Sequence, residues 1–200
     1  MGNDGAAAKP VKYHVVVVAA SAGGLSALAS VLEKLPAEFP VPLGVVQHVD
    51  PNHQSMVANI LGRRTLLRVS QARDHDAMVG GHVYVAPPGM HMVIGPDCGV
   101  QLTQTAPVHF VRPSADVLFE SAARSCGPVI AVILTGSGSD GAAGAAVVRA
   151  TGGIVIAQDQ ATSAFFGMPQ AAIDSGVVDF ILPVEEIGAA LIQLTSEEAA

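Results

Sequence analysis

Two hundred residues, half of them apolar, suffice for a sizeable core in one domain, or one domain plus a small elaboration. A net charge of −7, with only ten Lys plus Arg and no basic block, argues against a nucleic-acid or anionic-membrane surface. No apolar stretch approaches the about 20 residues a bilayer span needs, and the start lacks a secretory pattern and a myristoylation signal, so no membrane insertion is expected.

Residues 1–10 read as a flexible lead, 11–195 as a single domain and 196–200 as a tail. The Val-rich run over 14–19 is what a parallel strand buried on both faces requires, and Leu25, Leu28, Ala29 and Leu32 then recur at helical spacing over 23–35. A strand over 43–47 and a helix over 53–61 continue a βαβ rhythm. The segments 82–86, 90–94 and 100–103 are short and alternating, broken by Pro87, Pro88, Gly89, Pro96, Asp97 and Gly99, which is meander or hairpin chemistry. Cys98 and Cys126 have no metal spacing and build no framework; they read as small apolar filler in a reducing, cytoplasmic protein. Pro113 opens a helix to about 125 from a first-turn position. A buried strand over 129–134, a helix over 140–151, a strand over 154–157, a helix over 169–175, a strand over 178–182 and a helix over 184–194 complete the chain. The expected fold class is α/β: a doubly wound, mostly parallel sheet with helices on both faces and a small antiparallel hairpin insertion. Sites in such sheets form at the carboxyl ends of strands.

Three strand ends carry reactive side chains. Ser21 follows the first strand and precedes Gly23 and Gly24, as in a G-x-S-x-G nucleophile elbow, with Ala19 in place of the first Gly. Taken alone, it reads first as a helix N-cap. Gln47 and His48 close the second strand, and Asp140 lies in the glycine-rich loop 136–141. A Ser, a His and an Asp on one rim are the parts of a nucleophilic hydrolase: His48 takes the hydroxyl proton and returns it to the leaving group, while Asp140 fixes the imidazole tautomer. In isolation His48 is a half-buried histidine on a carbonyl, and Asp140 an N-cap for its own helix. Backbone amides near Ala22, Ser137 and Gly138 are the candidate oxyanion donors. Arg112 reads either as a holder of an acidic group on the substrate or as a local ion pair. Met168 and Pro169 either line the mouth or simply pack.

A rival reading uses the same loop. Gly136, Gly138 and Gly141 satisfy G-x-G-x-x-G between strand and helix, and Asp159 sits where a ribose-binding acid belongs in a dinucleotide-binding module. Against it, Asp140 would set a carboxylate beside the pyrophosphate, and Ser21 and His48 are left unused. No Lys follows either glycine cluster, so a phosphate loop of the Walker type is excluded. His14, His53, His75, His82, His91 and His109 are scattered without a close ligand pair, and most read as surface or structural; neither metal nor cofactor is expected. A third reading is a non-catalytic adaptor, in which Ser21, His48 and Asp140 lie too far apart to connect.

With these residues in hand, the sequence resembles the catalytic domain of the chemotaxis protein-glutamate methylesterases of the CheB type, from about 14 to 183. Six blocks in order carry the resemblance: Ala20-Ser-Ala-Gly-Gly24, Val46-Gln-His48, Gly81-His-Val-Tyr-Val-Ala-Pro-Pro-Gly89, Arg112-Pro-Ser-Ala-Asp116, Leu134-Thr-Gly-Ser-Gly-Ser-Asp-Gly141 and Gly167-Met-Pro169. The resemblance implies Ser21 as nucleophile, His48 as base and Asp140 as orienting acid. The reaction it implies is hydrolysis of glutamate methyl esters on the cytoplasmic helices of methyl-accepting chemoreceptors, often with deamidation of receptor glutamines. Two positions depart from the family pattern, Ala22 where Thr is usual and Ser137 where Met is usual. Many family members carry an N-terminal receiver domain over the site; only about a dozen residues precede the first strand here. The expectation is an enzyme unregulated by that route, or one regulated by a separate receiver-domain protein.

Overall fold

A computed structural model describes residues 13–49 and 55–196. The flexible lead, the expected helix start near His53 and nearly all of the expected tail lie outside these residues.

Val15 to Ala20 is buried without interruption because layers cover both of its faces. Seven parallel strands form one sheet in the order β3 (Arg68–Gln71), β4 (His82–Val85), β2 (Leu43–Gln47), β1 (Val16–Ala20), β7 (Ile130–Ile133), β8 (Ile154–Gln158) and β9 (Phe180–Leu182). Strand side chains alternate in direction, so Val16, Val18 and Ala20 face α1 (Gly24–Leu32), α2 (Val57–Leu61) and α6 (Val184–Ser196). Val15, Val17 and Ala19 face α3 (Ala115–Ser125), α4 (Ala142–Ala150) and α5 (Gly167–Asp174) instead. Two cores result, one on each side of the sheet, as the expected doubly wound class requires.

The antiparallel insertion is a hairpin of β5 (His91–Ile94) and β6 (Val100–Thr103), whose Met92, Ile94 and Val100 extend the core under α3. The meander expected over 82–103 is smaller than the sequence suggested. Residues 82–85 pair in parallel with both β2 and β3 and belong to the main sheet. The edge strand β3 was not foreseen: its ends are exposed, and a polar edge strand carries no apolar periodicity. The helix expected from Pro113 begins at Ala115, with Ser114 at its N-cap.

Cys98 and Cys126 are not unpaired filler. A disulfide joins them across a separation of 28 residues, tying the β5–β6 turn to the C-cap of α3. Neither spacing nor composition signals it, because the hairpin must fold back on α3 before the two sulfurs meet.

The connection direction reverses at β1, which runs on to β2 on one side and borders β7 on the other. This is the switch point where an open α/β sheet forms its crevice, outside the carboxyl ends of the strands.

Candidate active site

Ser21 extends β1 by one rung. Its N–H donates to Thr135 O at 3.0 Å, continuing the pairing with β7, and its carbonyl accepts from Gly24 N at 2.8 Å, closing a tight turn. Gly23, at φ +75°, supplies the left-handed residue that this turn needs before α1 begins. His48 extends β2 in the same way, its N–H donating to Ala20 O at 3.0 Å. Since Ala20 is in register with Gln47, Ser21 and His48 stand side by side at about one strand spacing, 4.8 Å. No hydrogen bond joins the Ser21 hydroxyl to the His48 ring among the described residues; such bonds are often long before substrate arrives.

Gln47 holds this pair together. Its buried Nε2 donates to Ser21 O at 2.9 Å and to His48 O at 3.0 Å. Sequence reading placed Gln47 on the rim without a role; a donor that binds both neighbouring carbonyls follows only from the register. Gly136 completes the fit from the β7 side. A Cβ there would collide with Met168 Sδ and come within 2.8 Å of Ser21 Cβ. Gly136→Ala is therefore expected to cost about 1–3 kcal/mol of stability and to displace Ser21. Thermal unfolding checks this, and an unchanged midpoint would show that the loop has room to give.

Across from Ser21, His48 Nε2 meets Asp140 Oδ2 at 2.8 Å, with His48 and Asp140 respectively 15% and 4% exposed at the side chain. That contact assigns the proton to Nε2 and leaves the Nδ1 lone pair free. Three more donors serve Asp140: Ser114 Oγ at 2.7 Å, Ala115 N at 2.6 Å and Asp116 N at 3.1 Å. Burial alone pushes the Asp140 carboxyl up, but the bonds from His48, Ala115, Ser114 and Asp116 outweigh it and hold the group below the usual carboxylate range. Buried His91 sets Ser114 in place: its Nδ1 accepts Ser114 N–H at 3.1 Å and its Nε2 donates to Ala106 O at 3.1 Å.

The sequence suggested that Asp140 caps its own helix. Gly141 holds that N-cap position instead, and Asp140 caps α3. Asp116, from α3, returns the exchange by accepting Gly141 N at 3.0 Å and Gly144 N at 2.7 Å on Oδ1. Asp116 Oδ2 is buried without a hydrogen bond among the described residues, 3.6 Å from His109 Nε2. Burial, reinforced by the Asp140 charge, raises the Asp116 carboxyl against the opposing pull of the Gly144 and Gly141 amides and His109. A carboxyl with a raised folded-state value contributes stability that is present at low pH and lost as pH rises through that value. Asp116→Asn keeps the carbonyl acceptor and cannot ionise, so its stability relative to the parent is expected to improve as pH rises above the ordinary carboxylate range, about pH 4. Urea unfolding from that range upward checks it, and a relative stability falling with pH would refute it.

This cap exchange bears on the dinucleotide reading. The Gly141 and Gly144 amides that would cradle a pyrophosphate are already given to Asp116, and Asp159 is closed into a local turn by Thr162 N and Oγ1. The adaptor reading expected three separated residues; His48 and Asp140 are bonded, with Ser21 on the next strand end. Among the described residues, no three His, Cys, Asp or Glu side chains are grouped to hold a metal ion.

The amides of Ala22, Gly23, Ser137 and Gly138 have no acceptor among the described residues, on either side of Ser21. Among the described residues Arg112 makes no carboxylate pair and its buried Nε has no partner; its Nη1 donates to Gln104 O at 3.1 Å and Thr105 O at 2.8 Å. Met168 is 1% exposed and lies beneath Gly136 rather than on the open surface. Two hollows flank the set: one of about 470 Å³ is lined by Ser21, Leu25, Gln47, Ile60 and Arg64, the other of about 240 Å³ by His48, Val49, Phe110, Val111 and Arg112.

Fold and site together define a doubly wound α/β protein with a serine, a histidine and a buried carboxylate at its switch point, the arrangement of an α/β serine hydrolase. The family model described as CheB methylesterase matches residues 16–191, and the chain belongs to that family. It is 46% identical over 193 residues to protein-glutamate methylesterase/protein-glutamine glutaminase 2 of Anaeromyxobacter dehalogenans, covering 96% of this chain and 56% of that protein. It is 42% identical over 185 residues to protein-glutamate methylesterase FrzG of Myxococcus xanthus, covering 92% and 55%. The chain thus spans about half the length of these curated relatives. The crystal structure of the Thermotoga maritima CheB methylesterase catalytic domain superposes with a TM-score of 0.88 at 37% identity, covering 92% of this chain and all of that one.

Proposed function

We propose that this chain is a protein-glutamate methylesterase acting on the cytoplasmic helices of methyl-accepting chemoreceptors, with deamidation of glutamines as a second reaction. The observation that carries the reading is the His48 Nε2–Asp140 Oδ2 contact beside Ser21, inside a CheB methylesterase fold.

With its proton fixed on Nε2, His48 offers Nδ1 as the base. Ser21 Oγ gives up its proton to Nδ1 and bonds to the glutamyl carbonyl carbon; the amides of Ala22, Gly23, Ser137 and Gly138 are the donors for the oxyanion. His48 then returns the proton as the C–OCH3 bond breaks, and methanol departs. Water, deprotonated by the same nitrogen, attacks the acyl-serine and releases free glutamate and Ser21. Deamidation follows the same route with ammonia as the leaving group. Arg112, uncompensated by any carboxylate among the described residues, is suited to an acidic neighbour of the esterified glutamate. No helix among the described residues is long and apolar enough to cross a membrane, and receptor tails of this kind place the reaction in the cytoplasm.

The test is methanol release from a methylated receptor fragment. Release that scales with enzyme supports the reading; no release, together with saturable NAD(P) binding, would return the dinucleotide module.

A further inference from the structure

Aromatic side chains are scarce in this chain: six Phe, two Tyr and no Trp. Phe39 and Phe119 are buried in the cores, yet Phe110, beside His48, is 100% exposed and Phe165, bonded to Thr135 and Gly136, is 51% exposed. Phe110 sits in a two-residue turn closed by Val108 N to Val111 O at 3.1 Å and Val111 N to Val108 O at 2.9 Å. Both central residues are left-handed, His109 at φ +48° and Phe110 at φ +66°. Such turns favour Asn and Gly, and a Phe there is held in a strained backbone conformation with its ring wholly in water. Neither strain nor exposure serves the core.

The position of the two rings gives them a use. Phe110 lines the hollow that includes His48, at the end of β2. Phe165 is fastened at the end of β7, where its N–H donates to Thr135 Oγ1 at 2.9 Å and its carbonyl accepts Gly136 N–H at 2.9 Å. Its backbone is fixed while its ring faces out. Between β2 and β7 lies β1, with Ser21 at its tip. Two strand spacings separate the flanking ends, about 10 Å, close to the width of an α-helix with its side chains.

Resting on the methylesterase reading, we infer that Phe110 and Phe165 bracket the scissile ester and grip apolar residues that flank the modified glutamate on a helical protein substrate. Large, stiff rings give much contact area for little lost rotamer freedom, and aromatic anchors of this kind dominate protein recognition. Serine chemistry itself does not require them; they select a helix over a small ester.

The experiment measures steady-state methanol release from a methylated helical receptor fragment by the parent protein and by Phe110→Ala, Phe110→Gly, Phe110→Tyr and Phe165→Ala. Truncation at either position is expected to raise KM about tenfold or more with kcat held within about threefold, and Phe110→Tyr to restore the parent KM. Phe110→Gly relieves the left-handed strain, so its thermal midpoint is expected to rise by about 2–4 °C while its KM worsens. A merely structural role moves those two readouts in the same direction and would overturn the inference. So would an unchanged KM, a fall confined to kcat, or a dimer in sedimentation that the Phe110 variants dissolve. If the parent releases methanol and the variants match it, the bracket alone fails; if the parent releases none, the esterase reading fails and the bracket with it.

Discussion

Ser21→Ala is expected to lower methanol release from a methylated receptor fragment by at least about 10³-fold, since removing the nucleophile of a serine hydrolase leaves only the contribution of binding and the oxyanion donors. The same variant is expected to keep its thermal midpoint within about 2 °C of the parent. The reason lies in the structure: Ser21 supports the fold with its backbone alone, through Thr135 O, Gly24 N and Gln47 Nε2. Among the described residues its hydroxyl makes no cap bond, and the N-cap position of α1 belongs to Gly23. A capping serine would instead cost about 1 kcal/mol on truncation. Activity and stability therefore separate in one variant. Undiminished release would remove Ser21 from the chemistry, and a clear drop in stability with modest loss of activity would return it to a structural role.

Substitution of Asp140 is expected to do the opposite and damage both. Asp140→Asn replaces an acceptor facing His48 Nε2 with a group able to donate, which favours the wrong imidazole tautomer; in the serine proteases the analogous change costs about 10⁴ in turnover. Asp140→Ala goes further, because Ser114 Oγ and the Ala115 and Asp116 amides lose their buried acceptor. A loss of about 3–5 kcal/mol is expected from these orphaned donors. The pH dependence fixes the cause. A carboxylate held below its ordinary range contributes stability that is fully present above that range and lost as pH falls through the folded-state value. The deficit of Asp140→Ala against the parent is therefore expected to be largest near neutrality and to shrink on acidification, as read by urea unfolding. A deficit independent of pH would mean that lost packing, not the anion, is responsible.

The places of Ser21, His48 and Asp140 were legible because Ser21 and His48 directly follow buried strands and Asp140 lies in the glycine-rich loop after a third, and buried parallel strands announce themselves by near-continuous apolar runs. The carboxyl-edge rule then gathers three strand ends without knowledge of any contact. What surrounds them was not legible. Ser114 reaches Asp140 across 26 residues and His91 reaches Ser114 across 23, so their partners exist only after the start of α3 has docked beside the loop before α4 and against the hairpin. Capping rules misdirect at Asp140 for the same reason: they weigh a residue against the helix that follows it, and this carboxylate serves the helix beside it. β3 escaped because its Arg, Val, Ser and Gln carry no period, and β4 was assigned to the meander because Gly80, Gly81 and Pro87 crowd its ends. The disulfide belongs with these failures, since only the packed hairpin brings Cys98 to the end of α3.

The exchange of caps between α3 and α4 sets a limit on how this site can be moved. Beyond its bond to His48, Asp140 is held by donors at the start of α3, and the start of α4 has its acceptor in Asp116, so neither helix end is complete without the other. Grafting Ser21, His48 and Asp140 onto another sheet would transfer an aspartate that keeps its bond to His48 but loses the three donors of α3 that aim it. The smallest portable unit of this site is two facing helix ends together with the strand tips they overlook, and a designer who copies three side chains has copied too little.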